Sequence, residues 1–72
     1  MTEDKYNKYR TKAEKRVQEL YKDKPMDEGE KRSRIAILEA FLMTNDLQNQ
    51  GVSYKEINSE VMELFRRRDF FN

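Results

Sequence analysis

Arg34 to Phe65, RIAILEAFLMTNDLQNQGVSYKEINSEVMELF, is the stretch that decides the fold of this chain. It holds most of the large aliphatic side chains, whereas the residues before it are strongly charged. Apolar residues repeat in it at the three- and four-residue spacing of a helix face, interrupted once, and this predicts two helices. The two helices should pack as an antiparallel or crossed pair through Leu38, Phe41, Leu42, Ile57, Val61, Leu64 and Phe65.

The interruption is Gly51-Val52-Ser53, where several local signals agree on one helix boundary. Gly51 can adopt the left-handed conformation that ends a helix. Ser53 can cap the next helix through its hydroxyl, and Glu56 completes the spacing of a capping box. Val52 and Ile57 have the spacing of a hydrophobic staple. The next helix should therefore begin at about residue 54.

A third helix is predicted before the central stretch. Its stripe at helical spacing consists of Tyr6, Tyr9, Ala13, Val17, Leu20 and Tyr21. Pro25 disfavours helix in the residue before it, so this helix should end near Asp23, and Asp27 is placed to cap the next one. We therefore expect an all-α, three-helix single domain, with helices at about 2–23, 28–49 and 54–68.

The amino-acid composition of the chain argues against most kinds of catalytic chemistry. The chain has 72 residues and contains no histidine and no cysteine, so the commonest general base and the thiolate nucleophile are missing. We expect no enzyme activity, no small-molecule substrate, no cofactor and no metal site. No apolar run reaches the roughly 18 residues of a membrane-spanning helix. A cytoplasmic protein without a membrane span is therefore expected.

The turn at Gly51-Val52-Ser53, followed by Ile57, resembles the turn and the start of the recognition helix in helix-turn-helix DNA-binding motifs. Asp46, Leu47 and Glu60 depart from the residue types usual at their positions in that motif. The resemblance implies a DNA-binding transcriptional regulator that contacts nucleic acid through Ser53, Tyr54, Lys55, Asn58 and Ser59. Because the net charge is only +1, the attraction to phosphate is weak, and DNA binding is the alternative interpretation.

The leading interpretation is a small, non-enzymatic protein-binding module, such as a regulator, inhibitor or adaptor, that occupies a partner surface. Several apolar side chains remain unplaced after each helix has one core face, among them Tyr6, Tyr9, Ile37 and Met43. The predicted contact residues are Tyr6, Tyr9, Met62, Arg66, Arg67, Phe70 and Phe71, of types enriched where proteins meet. The partner should be another protein or a second copy of the chain. Alternatively, Phe70 and Phe71 fold back onto the open end of the bundle.

Overall fold

The computed structural model describes residues 5–68 of the chain. In this range it contains three helices, α1 at Asn7–Tyr21, α2 at Glu28–Asn49 and α3 at Tyr54–Arg67, and no strand. The prediction of a small, all-α, three-helix fold is confirmed. Over the same residues, no helix combines the length and the apolar character needed to cross a membrane.

Helix α1 is shorter than the sequence predicts. Residues 2–4 of the predicted helix lie outside the described residues, and Lys5 and Tyr6 form a turn before the first helical residue. At the other end, the Lys24 amide donates to the Tyr21 carbonyl at 3.0 Å and closes a turn. The helix stops two residues before the predicted end, because Pro25 biases the preceding chain away from helical geometry.

The boundaries around α2 and α3 agree closely with the prediction. Asp27 caps α2 by accepting a hydrogen bond from the Glu30 amide at 2.7 Å, and Ser53 Oγ accepts from the Glu56 amide at 3.3 Å. Gly51 has a φ of 82°, the left-handed conformation that favours glycine. The Val52 amide then reaches back to the Leu47 carbonyl at 3.0 Å, which is the Schellman arrangement that ends a helix.

The core forms where α2 packs against both other helices. Neither α1 nor α3 brings a Cα atom within 8 Å of the other, whereas both approach α2 to within that distance. The central buried cluster consists of Tyr6, Tyr9, Met43 and Leu64. Further buried side chains are Ala13, Val17, Ala36 and Ile57. The fold thus places α2 between its two neighbours.

Helix α2 turns a different face to the core than the sequence predicts. Its buried residues are Ala36, Glu39 and Met43. Phe41, predicted to be buried, is 69 % exposed, while Leu38 and Leu42 are half-buried. On α3, Ile57 and Leu64 are buried, as the sequence predicts. Since α2 is contacted from two sides, its small alanines and its flexible methionine line the interior, and the large Phe41 is left outside.

Candidate functional site

An exposed apolar patch lies on the outer side of α2, next to α3. We call it the Phe41 patch; it surrounds a shallow depression of about 280 Å³ and consists of Ile37, Ala40, Phe41, Thr44 and Phe65. Phe41 is 69 % exposed and Ile37 is 45 % exposed. These two side chains are one helical turn apart on α2, and Phe65 contributes the wall from α3. Phe41 therefore protrudes beside a depression that its own neighbours line.

The charges nearest to this patch on α2 are already paired. Arg34 shares the helix face of Phe41, two turns earlier in the helix. Its guanidinium lies 3.2 Å from a carboxylate oxygen of Glu30 and donates to the Tyr21 hydroxyl at 3.0 Å. The same group sits over the Tyr21 ring, 4.9 Å from its centroid. The polar edge of the patch thus holds an ordered arginine and little unpaired charge.

Tyr6 joins the start of α1 to α3. It is 1 % exposed, and its hydroxyl donates to Glu60 Oε2 at 2.9 Å. Lys5 Nζ lies 2.9 Å from the same oxygen, and the hydrogen bond from Lys5 lowers the pKa of Glu60. Burial raises the pKa of the Tyr6 hydroxyl. The Arg67 guanidinium covers the Tyr6 ring, 5.2 Å from its centroid.

Tyr9 joins α1 to the end of α2 in the same manner. Its hydroxyl donates to Asp46 Oδ2, and Lys8 Nζ is 3.7 Å from that oxygen. Burial, followed by the bond to this carboxylate, raises the pKa of Tyr9 to about 12, and the bond from Tyr9 lowers the pKa of Asp46. The prediction that Tyr6 and Tyr9 are left over from the core is wrong. Each ring is buried because its hydroxyl finds a carboxylate acceptor.

A buried ion pair links the middle of α2 to the end of α3. Glu39 is fully buried, and Arg68 Nε donates to both of its carboxylate oxygens at 3.1 and 3.3 Å. Burial raises the pKa of Glu39, although Arg68 acts in the opposite direction. Raised carboxyl pKa values occur at catalytic sites and in structural ion pairs alike. Because Arg68 caps α3, we interpret this pair as a structural link.

The other predicted protein-contact residues are distributed as follows. Met62 is 50 % exposed on α3, and Arg66 and Arg67 are exposed at the end of that helix. Arg66 and Arg67 both pair with Glu63, at 3.1 and 3.5 Å. Phe70 and Phe71 lie outside the described residues, so the prediction for them remains a prediction.

All five residues of the nucleic-acid alternative are exposed: Ser53, Tyr54, Lys55, Asn58 and Ser59. The Ser53 hydroxyl is occupied by the helix cap. A groove of about 530 Å³ brings Lys55 and Ser59 of α3 together with Lys5 and Lys8 from the α1 side. This arrangement brings lysines from two distant parts of the sequence together, beside Glu56 and Glu60 of α3. A helix-turn-helix function for these residues stays a prediction.

Over residues 5–68, the histidine, cysteine, aspartate and glutamate side chains form no group of three that could hold a metal ion. Glu39, the one buried carboxylate in that range, is paired with Arg68.

Sequence reasoning assigned both Phe41 and Phe65 to the core, whereas Phe41 is exposed and Phe65 is only half-buried. A signal was present in α2 itself. Its central segment, IAILEAFLM at 35–43, is apolar on nearly every side of the helix. A helix with this pattern inside a very small domain cannot bury every side, so at least one large apolar residue had to be exposed.

The chain was also compared with known proteins. No protein-family model, no curated protein sequence and no solved structure matches it. Any function must therefore be inferred from the residues and the geometry of the chain itself.

Proposed function

We propose that this chain is a small, non-enzymatic protein-binding module, that the Phe41 patch is its contact surface, and that a second copy of the chain occupies the patch. The observation that carries the proposal is the 69 % exposure of Phe41 beside an apolar depression. Contiguous exposed apolar surface marks interaction sites on small proteins. Aromatic side chains that insert into a pocket dominate the energetics of such contacts.

A second copy suits the patch because protrusion and depression lie side by side on one surface. In a two-fold symmetric dimer, each subunit contributes the same surface, which must be complementary to itself. The ring of Phe41 from one copy can enter the depression of the other, while the reverse contact forms at the same time. In this geometry each copy uses the same surface, so the chain needs no separate second binding site.

The polar residues around the patch favour an antiparallel arrangement of the two α2 helices. A two-fold axis midway between Ile37 and Phe41 places Phe41 of one copy on Ile37 of the other. By residue numbering, Arg34 then faces the uncharged Thr44 of the second copy. A parallel arrangement would instead bring the two Arg34 side chains together, and like charges repel across an interface. The antiparallel dimer leaves the pair between Arg34 and Glu30 undisturbed.

The size of the surface sets the expected strength. A stable interface takes about 800 Å² from each partner, which is roughly one seventh of the accessible surface of 5769 Å² on this chain. The Phe41 patch and Met62 supply only the centre of such an area. We therefore expect a weak dimer, with a dissociation constant on the order of 10 µM.

Sedimentation equilibrium of the purified chain over a range of concentrations tests the proposal. The Phe41→Ser variant should remain a monomer where the natural chain dimerises, because the protruding ring is lost. Tyr54→Ser is the matched control, since Tyr54 is 75 % exposed and lies outside the patch. Circular dichroism of both variants checks that the three helices are retained.

Three outcomes would contradict the proposal in different ways. A natural chain that stays monomeric well above the expected dissociation constant excludes a second copy as the occupant. A dimer that Phe41→Ser leaves intact places the contact elsewhere on the chain. Cooperative loss of helix in Phe41→Ser, with the natural chain monomeric, would indicate that another segment of the same chain covers Phe41.

A further inference from the structure

The near-neutral net charge conceals an uneven distribution of charge. Residues 5–24 carry eight Lys or Arg against three Asp or Glu, a formal charge of +5. Residues 25–68 carry seven against eight, a formal charge of −1. The remaining acidic residues, Glu3, Asp4 and Asp69, lie outside the described residues. Positive charge is therefore concentrated on α1 and the turn that follows it.

Four lysines form a line along the outer side of α1. We call this line the lysine face; its members are Lys8, Lys12, Lys15 and Lys22. Their spacings of four, three and seven residues place them on one side of the helix. All four are exposed. At 1.5 Å per residue, the line is about 21 Å long.

Most of this positive charge has no partner within the described part of the chain. Lys8 lies 3.7 Å from Asp46, which also accepts the Tyr9 hydroxyl. No ion pair joins Lys12, Lys15 or Lys22 to any carboxylate there. Glu19 lies one helical turn from Lys15 and from Lys22, but it forms no ion pair with either lysine.

The composition of the lysine face restricts the kind of partner that fits it. The residues beside the lysines are polar: Thr11 and Gln18 are uncharged, and Glu19, between Lys15 and Lys22, is acidic. A helix that lies on a membrane needs an apolar face to insert among the lipids, and a protein interface needs apolar or aromatic anchors at its centre. The lysine face has neither. A polyanion with regularly spaced charges can bind to lysines alone, because release of its counterions supplies the affinity.

We propose that the lysine face binds the phosphate backbone of double-stranded nucleic acid without reading its bases. This surface is separate from the Phe41 patch and does not depend on it. Beside the lysine face, Asn45 and Asn49 line a depression of about 240 Å³ together with Lys8 and Lys12. Their side-chain amides can donate to phosphate oxygens, as such groups commonly do in protein–DNA contacts. Asp46 lies in the same depression, but Tyr9 and Lys8 already engage its carboxylate.

Fluorescence anisotropy of a labelled duplex of mixed sequence, about 20 base pairs long, tests this with the full chain. The three lysines that form no ion pair within the described residues, Lys12, Lys15 and Lys22, predict a slope of log affinity against log salt of about −2.7, or roughly 40-fold weaker binding at about 200 mM than at about 50 mM salt. The double variant Lys12→Gln/Lys15→Gln removes two of these contacts. It should reduce the slope to about −0.9 and weaken binding at low salt.

Arg32→Gln/Arg66→Gln is the matched control, because it removes two exposed positive charges from α2 and α3 and leaves α1 unchanged. Its slope should equal that of the natural chain. Equal slopes for the two double variants would overturn the proposal, as would the absence of binding at low salt. Polyglutamate or anionic vesicles that compete as well as unlabelled duplex would also overturn it, and would indicate an acidic protein or a membrane surface respectively.

Discussion

Tyr6 and Tyr9 show how single polar atoms determine which residues enter the interior. Both rings are buried, and each hydroxyl donates to a carboxylate on another helix, Glu60 for Tyr6 and Asp46 for Tyr9. A buried hydroxyl without an acceptor is costly, so the positions of the two acids decide whether the rings can be buried. Helical spacing identifies the apolar stripe of α1 but not these acceptors.

The raised pKa of Tyr9 predicts a loss of stability in alkali. The folded chain holds the Tyr9 proton more tightly than the unfolded chain, because the pKa rises from 10.0 to about 12 on folding. The contribution of Tyr9 is fully present below pH 10 and is lost as the pH rises through about 12. Urea unfolding measured between these pH values should therefore show a falling free energy of unfolding.

Tyr9→Phe should remove part of this pH dependence, since phenylalanine has no proton to lose. Tyr54→Phe serves as the control, because Tyr54 is 75 % exposed and its replacement should leave the profile unchanged. Identical alkaline profiles for the natural chain and Tyr9→Phe would show that Tyr9 does not hold its proton through folding.

At the scale of the helices, the boundary between α2 and α3 depends on residues that are close in sequence. Gly51→Ala should destabilise the fold by about 1 kcal/mol, because alanine is strained at a φ of 82°. Apart from Gly51 and its two chain neighbours, no residue has an atom within 4 Å of the position that an added Cβ would occupy, so the expected cost comes from the backbone conformation. Chemical denaturation measures it, and an unchanged stability would mean that this glycine does not adopt the left-handed conformation.

Ser53→Ala tests the other half of the same boundary. It removes the acceptor for the Glu56 amide and should also cost about 1 kcal/mol. Ser59→Ala is a suitable control, because Ser59 is an exposed residue within α3 and caps no helix. If Ser53→Ala is no less stable than this control, the cap does not contribute to the start of α3.

The helix ends could be predicted because capping involves residues three or four positions apart. Asp27, Gly51 and Ser53 carry enough local information to place α2 at Glu28–Asn49 and the start of α3 at Tyr54. The rotation of α2 could not be predicted in this way, because it depends on two neighbours at once. The apolar spacing placed Phe41 in the core, whereas in the structure Ala36 is buried and Phe41 is exposed.

The candidate sites also depend on how the helices pack, which the sequence alone does not reveal. Surplus apolar residues in α2 indicated that some must be exposed, and the exposed side contains Ile37 and Phe41. Which residues share the patch depends on how α2 meets α3, and that relation is not encoded in the spacing of either helix alone. The four lysines of the lysine face have regular helical spacing in the sequence, but only the side-chain geometry shows that Lys12, Lys15 and Lys22 form no ion pair within the described residues.

At the scale of the whole molecule, the two proposed surfaces differ in chemistry and in position along the chain. The Phe41 patch is formed by α2 and α3 and is apolar, whereas the lysine face belongs to α1 and the residue after it and is cationic. A dimer formed through the patch would carry two lysine faces. Joining two weak sites in this way can strengthen binding to a long polyanion without any new contact.

Disulfide trapping tests the central claim, the contact between Phe41 and a second copy, most directly. The chain has no cysteine of its own, so single-cysteine variants give unambiguous products. A disulfide requires Cα atoms within about 7 Å. An equal mixture of Arg34→Cys and Thr44→Cys keeps Ile37 and Phe41 in both copies and, oxidised at a concentration where the natural chain dimerises, should give mainly the mixed 34–44 product. Tyr54→Cys should give little product with either variant. A mixed product no more abundant than the products with Tyr54→Cys would contradict the proposed contact.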